Sequence, residues 1–244
     1  MEQLDLCALL RQNSYPGRGI LAGRTETHTV AAYFIMGRSE NSRNRVFEAT
    51  PDGIRTRAFD ESKMTDPSLI IYHPVRQLQH ITIVTNGDQT DTIRDYIDAG
   101  GDFEEALYTR TFEPDGPNWT PRISAMLLPW RGKRGTGVNV QMSILKSLDG
   151  DPACCCRQFF AYQDVPVGTG FFLSTYQGDG APLPSFAGEP LRVAVTAPDA
   201  DTLADRLWES LNGENKVALF VQYTPLDGPM DGSDAVRVLR NKLG

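Results

Sequence analysis

Arg38, Arg43 and Arg45 fall within eight positions in the stretch GRSENSRNR, directly after the apolar run AAYFIM, in a chain whose formal net charge is −7. A planar guanidinium holds two phosphate or carboxylate oxygens at once, so several converging arginines suit a small organic phosphate. Further polar clusters stand at the ends of other apolar runs. YPGRG supplies Tyr15 and Arg18, SLIIYHPVR supplies Tyr72, and TNGDQTD supplies Asn86, Asp88, Thr90 and Asp91. FEPDGPNWTPRIS adds Glu113, Asp115, Asn118, Thr120 and Arg122. Asn and Thr side chains can read the edges of a base or the hydroxyls of a ribose. Plain structural readings stand beside these. Arg18 or Arg122 alone makes a surface ion-pair partner, and Asp88 and Thr90 make caps for a helix beginning near Thr90. Glu113, before a proline, reads as a solvated loop acid, and Tyr72 as core filling with its hydroxyl at the rim.

Other chemistries lack their residues. The three histidines, His28, His73 and His80, form no HxH or HExxH pair, and no CxxC ladder is present, so no metal site is expected. Gly132-Lys133 lacks the earlier glycine and the following Ser or Thr of a phosphate loop, and GTG at 135–137 lacks the third glycine of a dinucleotide fingerprint. GRSEN at 37–41 is one residue short of a nucleophile elbow, with Asn41 where the last glycine belongs. Ser39 therefore reads better as a loop serine bonded to nearby backbone than as a nucleophile.

These clusters need elements to position them. An amphipathic helix is expected at about 3–12, ended by Tyr-Pro-Gly. GILAG and HTVAAYFIM read as a hairpin, followed by strands at RVFEA, GIRTRAF, SLIIYHPV and HITIVTN. HITIVTN is apolar on both parities, as in a strand covered on both sides. Helical patterns follow in TDTIRDYIDAG and in DFEEALYTR, the latter with Asp102 as cap. Strands return at RISAMLL, VNVQMSILK, CCRQFFAY and GFFLSTY. The tail reads as the strand LRVAV, a helix over DADTLADRLWESLN, the strand KVALFVQY and a helix over SDAVRVLRNKL. Strands grouped before helices, without steady alternation, give an α+β class. The Pro-rich GDGAPLPSFAGEP is a loop, and no repeat or low-complexity linker divides the chain, so residues 1–244 are expected to form one domain. On a regular strand Tyr33 and Arg38 point to opposite faces unless Gly37 breaks the pattern, and Tyr33 is not counted in the site.

The 244 residues, 40% hydrophobic and 23% charged, can bury a sizeable core. A sequence pI near 5.0 speaks against a nucleic-acid surface, which calls for a basic face. The longest apolar run, VAAYFIM, is far short of a membrane span, and MEQLDLCALLRQ lacks the basic flank of a signal peptide. The adjacent Cys154, Cys155 and Cys156 read as reduced thiols, and the expected location is cytoplasmic.

In this order, YPGRG, AYFIMGRSENSRNR, SLIIY, VTNGDQTD, FEPDGPNWTPRIS and, more loosely, FFLSTYQGDGAPLPSF resemble the IMP cyclohydrolase family of the archaeal type. The resemblance runs from about 15 to 185, and NGDQTD together with NWTPRI is its most specific part. It implies a fold similar to the N-terminal-nucleophile hydrolases: a four-layer αββα sandwich of two antiparallel sheets. Residues 191–244 then form an extension packed on that domain. The implied activity closes the pyrimidine ring of 5-formamidoimidazole-4-carboxamide ribotide to give inosine monophosphate and water, with no cofactor and no metal.

On that resemblance Arg38 faces the formyl oxygen, Glu113 accepts a proton from the carboxamide or orients it, and Tyr72 passes a proton to the departing oxygen. Arg18, Arg43, Asn86, Thr90, Asp91, Asn118 and Arg122 would hold phosphate, ribose or base. The expected partner is the small-molecule purine ribotide, with no nucleic acid and no membrane, and a homo-oligomer is compatible with such a layered domain. SENSR enlarges the arginine loop relative to the shorter archaeal turn. Two other readings stay open: a purine-ribotide sensor without catalysis, and an amidohydrolase of the N-terminal-nucleophile type, which needs processing to expose Cys7 or another nucleophile.

Overall fold

The structure, a computed structural model, describes residues 3–64, 67, 70–133, 135–229 and 231–244. The chain runs α1 (Leu6–Gln12), β1 (Arg18–Arg24), β2 (His28–Met36), α2 (Glu40–Arg43), β3 (Arg45–Thr50), β4 (Gly53–Ala58), β5 (Val75–Leu78) and β6 (Ile81–Thr85). It continues through α3 (Gln89–Asp98), α4 (Phe103–Tyr108), β7 (Arg122–Gly132), β8 (Gly135–Leu148), β9 (Asp151–Tyr162) and β10 (Thr169–Ser174). β11 (Leu191–Ala194), α5 (Ala200–Ser210), β12 (Lys216–Pro225) and β13 (Val236–Asn241) complete it.

Two antiparallel sheets result, one ordered β11-β10-β1-β2-β12-β13 and the other β3-β4-β5-β6-β7-β8-β9. Period-2 alternation explains why each strand serves two layers. Ile20, Tyr33, Ile35, Phe220, Val84, Ile123, Val140 and Met142 fill the space between the sheets. On the far side of the six-stranded sheet, Leu21, Phe34, Leu219 and Val221 meet Leu6 and Leu10 of α1 and Leu203 and Leu207 of α5. On the far side of the seven-stranded sheet, Ile83, Met126 and Leu145 meet Ile93 of α3 and Phe103 and Leu107 of α4. The layers are thus helix, sheet, sheet, helix: the α+β sandwich expected. Each of those buried leucines contributes roughly 2 kcal/mol of apolar burial. No helix among the described residues is long and apolar enough to cross a membrane.

Two element readings are corrected. SDAVRVLRNKL is not a helix. Val236–Asn241 is a strand, paired antiparallel with β12 from Val236↔Tyr223 to Asn241↔Ala218. The alternation sends Val238 to one layer and Leu239 to the other, so β-branched packing outweighs the helical pattern. SLIIYHPV is not a strand either. Ser68 and Leu69 lie outside the described residues, and the ladder starts only at Val75, after Pro74, which has no N–H to give. Thr56 holds the turn before it, its Oγ1 donating to Ile70 O and accepting from Tyr72 N–H at 3.0 Å. Residues 191–244 supply three of the six strands of their sheet, with β12 lying directly against β2.

Candidate active site

Three arginines open strands: Arg18 begins β1, Arg45 begins β3 and Arg122 begins β7. Arg18 is aimed by its neighbours. Gly17 takes a left-handed conformation (φ +77°) that packs it against Thr175 and Tyr176, where a Cβ would not fit. The Arg18 N–H then donates to Thr175 Oγ1 at 3.1 Å. Arg45 is delivered by the single turn α2, where Ser39 is the N-cap and accepts from Ser42 N–H at 3.1 Å. The serine of the near-miss elbow is therefore a capping residue. Glu113 comes from the α4–β7 loop, which is folded on Asp115: that carboxylate accepts from Thr120 N–H at 2.6 Å and from Thr120 Oγ1 at 2.5 Å. Glu113 N–H donates to Thr120 O at 2.9 Å, and Thr120 Oγ1 meets the Tyr176 hydroxyl at 2.6 Å.

Together they bound a cavity of about 380 Å3, with Tyr15, Arg18, Arg38, Arg45, Glu113, Asn118 and Tyr176 in its wall. Outside its wall, but near enough for Arg45 and Arg18 to act on them, the Tyr33 and Tyr72 hydroxyls share a hydrogen bond of 2.9 Å. Arg45 and Glu113 are each only 4% exposed. Among the described residues Arg45 Nε and Nη1 and Arg18 Nε are buried without hydrogen-bond partners, so these two side chains keep unused donors. Burial raises the Glu113 pKa, and the pull of Arg18, Arg122 and Arg45 offsets this only in part, with Asp115 adding to the rise. For Arg18, burial acts to lower the pKa, but Glu113, helped by Tyr15, Tyr176 and Tyr72, raises it overall. Burial and then Arg18 lower that of Arg45. Burial raises Tyr72 and Tyr33, and pushes Tyr176 up to about 12. The phenols are thus protonated donors at neutral pH. Larger hollows, about 590 Å3 beside Trp130 and 570 Å3 beneath Pro182 and Pro184, bring no buried carboxylate against buried guanidiniums.

Of the catalytic and binding residues picked from the sequence, Arg18, Arg38, Glu113 and Asn118 line this cavity, and Tyr72 is outside its wall but close enough for Arg45, Arg18 and Glu113 to act on its phenol. Arg38 stays at the mouth, over the Tyr15 ring at 5.0 Å, bonded to Asp179 at 2.5 Å and to Gly180 O at 3.0 Å. Asn118 accepts from Leu183 N–H at 3.2 Å. The others are engaged elsewhere. Arg43 turns back to Gly37 O (2.9 Å) and Asn215 Oδ1 (3.1 Å). Asn86 ties β6 to β7, accepting from Ile123 N–H at 2.8 Å and donating to Pro121 O at 2.9 Å. Thr90 is fully buried on Thr85 Oγ1 and Gly87 O, and Asp91 pairs with Arg76 at 2.8 Å. Arg122 is held by Asp88 Oδ1 (2.7 Å) and Gln89 Oε1 (2.6 Å), with its charge still felt at Glu113. Asp88 occupies the N-cap position of α3 but makes no side-chain cap; its carboxylate bridges Arg122 and Arg110. Cys7 sits in α1 and lines a separate hollow against α5.

Sequence reasoning leaves Arg45, Tyr33 and Tyr176 without roles. For Tyr33 the hydroxyl was the available signal: a tyrosine buried on both sides of a sheet needs a partner for its O–H, and a second tyrosine supplies it.

A family model described as IMP cyclohydrolase-like protein matches residues 15–228. The chain is 32% identical to the IMP cyclohydrolase of Methanopyrus kandleri over 160 residues, which is 62% of this chain and 78% of that protein. It is 30% identical to the enzyme of that name from Methanocella arvoryzae, over 46% of this chain and 57% of the relative. The corresponding figures for Methanococcus maripaludis are 33%, 46% and 58%. With nearly all of the chain inside the family model, and the cavity built from residues within it, the protein belongs to the IMP cyclohydrolase-like family.

Proposed function

We propose that this protein is an IMP cyclohydrolase that closes the pyrimidine ring of 5-formamidoimidazole-4-carboxamide ribotide, and that the cavity of Arg18, Arg45 and Glu113, with Tyr72 close to these charges, is where it does so. The observation that carries this reading is the pair of buried guanidiniums with N–H groups unused among the described residues, beside the buried carboxylate of Glu113. That arrangement has donors for an oxyanion and an acceptor for a proton, and it faces a space of ribotide-base size.

The nucleophile is a carboxamide nitrogen, weak because its lone pair is delocalised, and the electrophile is a formamide carbon of the same molecule. Alignment of the two removes roughly 7–11 kcal/mol of barrier. The new N–C bond pushes the formyl π electrons onto oxygen, where Arg45 Nε and Nη1 donate. The oxyanion role suggested for Arg38 by the motif order passes to Arg45, since Arg38 is already bound to Asp179 at the rim. Glu113 takes one proton from the attacking nitrogen. Tyr72, in hydrogen-bond contact with Tyr33, gives a proton to the oxygen as the C–O bond breaks. Glu113 returns its proton to the same oxygen, the formamide nitrogen loses its proton to the Tyr72 phenolate as the C=N bond forms, and the formyl oxygen leaves as water with, in net, one hydrogen from each nitrogen. Arg38 and Asn118 at the rim face the ribose and phosphate end.

The test is the ultraviolet change on ring closure, followed with purified wild-type protein and with Glu113→Gln. Turnover by the wild type, with the variant binding ribotide but turning over at least about 100-fold more slowly, is expected. Tight ribotide binding without turnover by the wild type would replace the enzyme with a sensor.

A further inference from the structure

Tyr176 takes no part in the ring closure, although it is only 1% exposed and stands in the wall of the cavity. Its ring is fixed from two sides. It stacks on Tyr15, with centroids 6.1 Å apart and planes 19° from parallel. It also packs against Gly17, where a Cβ would meet its Cδ2 at 2.5 Å. Its hydroxyl ends a chain of three side chains, Asp115, Thr120 and Tyr176, whose residues all line the cavity. A carboxylate only accepts hydrogen bonds. Asp115 therefore takes the single hydroxyl hydrogen of Thr120 at 2.5 Å, together with the Thr120 N–H at 2.6 Å. Thr120 Oγ1 has no hydrogen left to give, so the 2.6 Å bond between the two hydroxyls is donated by Tyr176. The one O–H of Tyr176 is spent on Thr120. Its oxygen keeps a lone pair to which, among the described residues, nothing donates.

The same loop carries the base. Thr120 O accepts from Glu113 N–H at 2.9 Å, so one segment sets the positions of two acceptors. Arg18 and Glu113 are near enough to act on the Tyr176 phenol, which burial pushes up to about 12 and so keeps neutral. A neutral phenol oxygen accepts a hydrogen bond without removing the proton. The cavity thus holds a carboxylate that can take a proton and a neutral oxygen that can only hold one in place.

We propose that Tyr176 is the residue by which this cavity selects a carboxamide over a carboxylate, with Asp115 and Thr120 as positioning residues that fix the direction of its hydrogen bond. The inference rests on the ring-closure reading. A primary carboxamide has two N–H groups. In that reaction one proton goes to Glu113, and the other stays on the nitrogen and remains on the closed ring. Tyr176 accepts from this second N–H and holds the nitrogen toward the formyl carbon. A carboxylate in the same place brings only lone pairs against the Tyr176 oxygen, and a buried acceptor facing an acceptor is costly.

The direction of the chain can be reversed without adding or removing a heavy atom. In Asp115→Asn the side-chain oxygen still accepts from the Thr120 N–H, while the amide N–H donates to Thr120 Oγ1. Thr120 then donates to Tyr176, and the Tyr176 O–H is released to the cavity. Calorimetric titration with 5-aminoimidazole-4-carboxamide ribotide and with its 4-carboxylate counterpart reads the preference as a ratio of dissociation constants. Asp115→Asn is expected to shift that ratio at least about tenfold toward the carboxylate, and Tyr176→Phe, which changes no charge, at least about threefold. Added to Tyr176→Phe, Asp115→Asn should shift it by less than about twofold, whereas a bare charge effect would persist. If Tyr176→Phe does not fold, Thr120→Val, also neutral, frees the same O–H and carries the expectation given for Asp115→Asn. Wild-type protein that closes the ring, with the ratio unmoved in the neutral variant or the Asp115→Asn shift surviving in the double variant, overturns the Tyr176 role and leaves ring closure standing. Wild-type protein that binds neither ribotide overturns both.

Discussion

At the scale of single residues, the decisive contrast is between three arginines that look alike in GRSENSRNR. Arg38 is half out of the protein and paired with Asp179, Arg43 is bonded to Gly37 O and Asn215, and Arg45 is buried with unused donors. Spacing cannot separate them, because the difference is made by one turn of helix and its Ser39 cap. Arg45→Met is expected to lower turnover by about 100-fold or more, the usual loss for one oxyanion donor. Its melting temperature should not fall, since a buried charge beside Arg18 is replaced by apolar volume. A calorimetric scan beside the ring-closure assay checks both. Tyr72→Phe should keep ribotide affinity and lose about tenfold or more in turnover. For Glu113 the sign of the pH dependence follows from its surroundings. Burial raises its pKa above the ordinary 4.5, against Arg18, Arg122 and Arg45 from β1, β7 and β3 and with Asp115 beside it. Acting as the ionised base, it makes the rate fall on the acid side at a pH above the free-glutamate value. A pH–rate profile with its acid limb at or below that value would remove Glu113 from the base role.

At the scale of elements, the sequence readings succeed where one period dominates and fail where a neighbour decides. The hairpin of β1 and β2, the helix capped by Asp102 and the strand KVALFVQY stand as read. β13 was hidden because VRVLRN satisfies a helical face as well as a strand, and only β12 beside it selects the strand. Tyr72 lies in a turn because Pro74 and Thr56 together end the ladder, a long-range effect no local pattern carries. NGDQTD and NWTPRI do work together, but as the joint between β6, α3 and β7: Asn86 and Gln89 meet the start of β7, and Asp88 joins Arg122 to Arg110. Asn86→Ala leaves buried backbone groups of Pro121 and Ile123 without partners and should cost about 2 kcal/mol in denaturant unfolding. Asp88 has its pKa held down: burial opposes this, and the Arg110 and Arg122 pairs outweigh it. Its contribution is present above the ordinary aspartate value of 3.8 and is lost as pH falls through the lower folded value. Asp88→Asn should therefore be less stable near neutrality by no more than about 1 kcal/mol, the carboxylate being half exposed, with the gap closing in acid.

At the scale of the whole molecule, two sheets meet so that the starts of β1, β3 and β7 converge, and charges spread over more than 100 residues of sequence become neighbours. The α+β class was legible from strands grouped before helices, and the two-sheet sandwich was implied by the family resemblance, with which the two-sided HITIVTN agrees. The weaving of 191–244 into the six-stranded sheet was not, because β12 is set beside β2 by tertiary pairing alone. The cavity exists only in the assembled sandwich, so its occupant is the sharpest question to put to it. A crystal structure with inosine monophosphate bound answers it. The account predicts the new C2 atom of the base within hydrogen-bonding reach of Arg45, Glu113 and Tyr72, with the ribose phosphate toward Arg38. A nucleotide bound elsewhere, leaving the Arg18 and Arg45 donors unengaged, would contradict it.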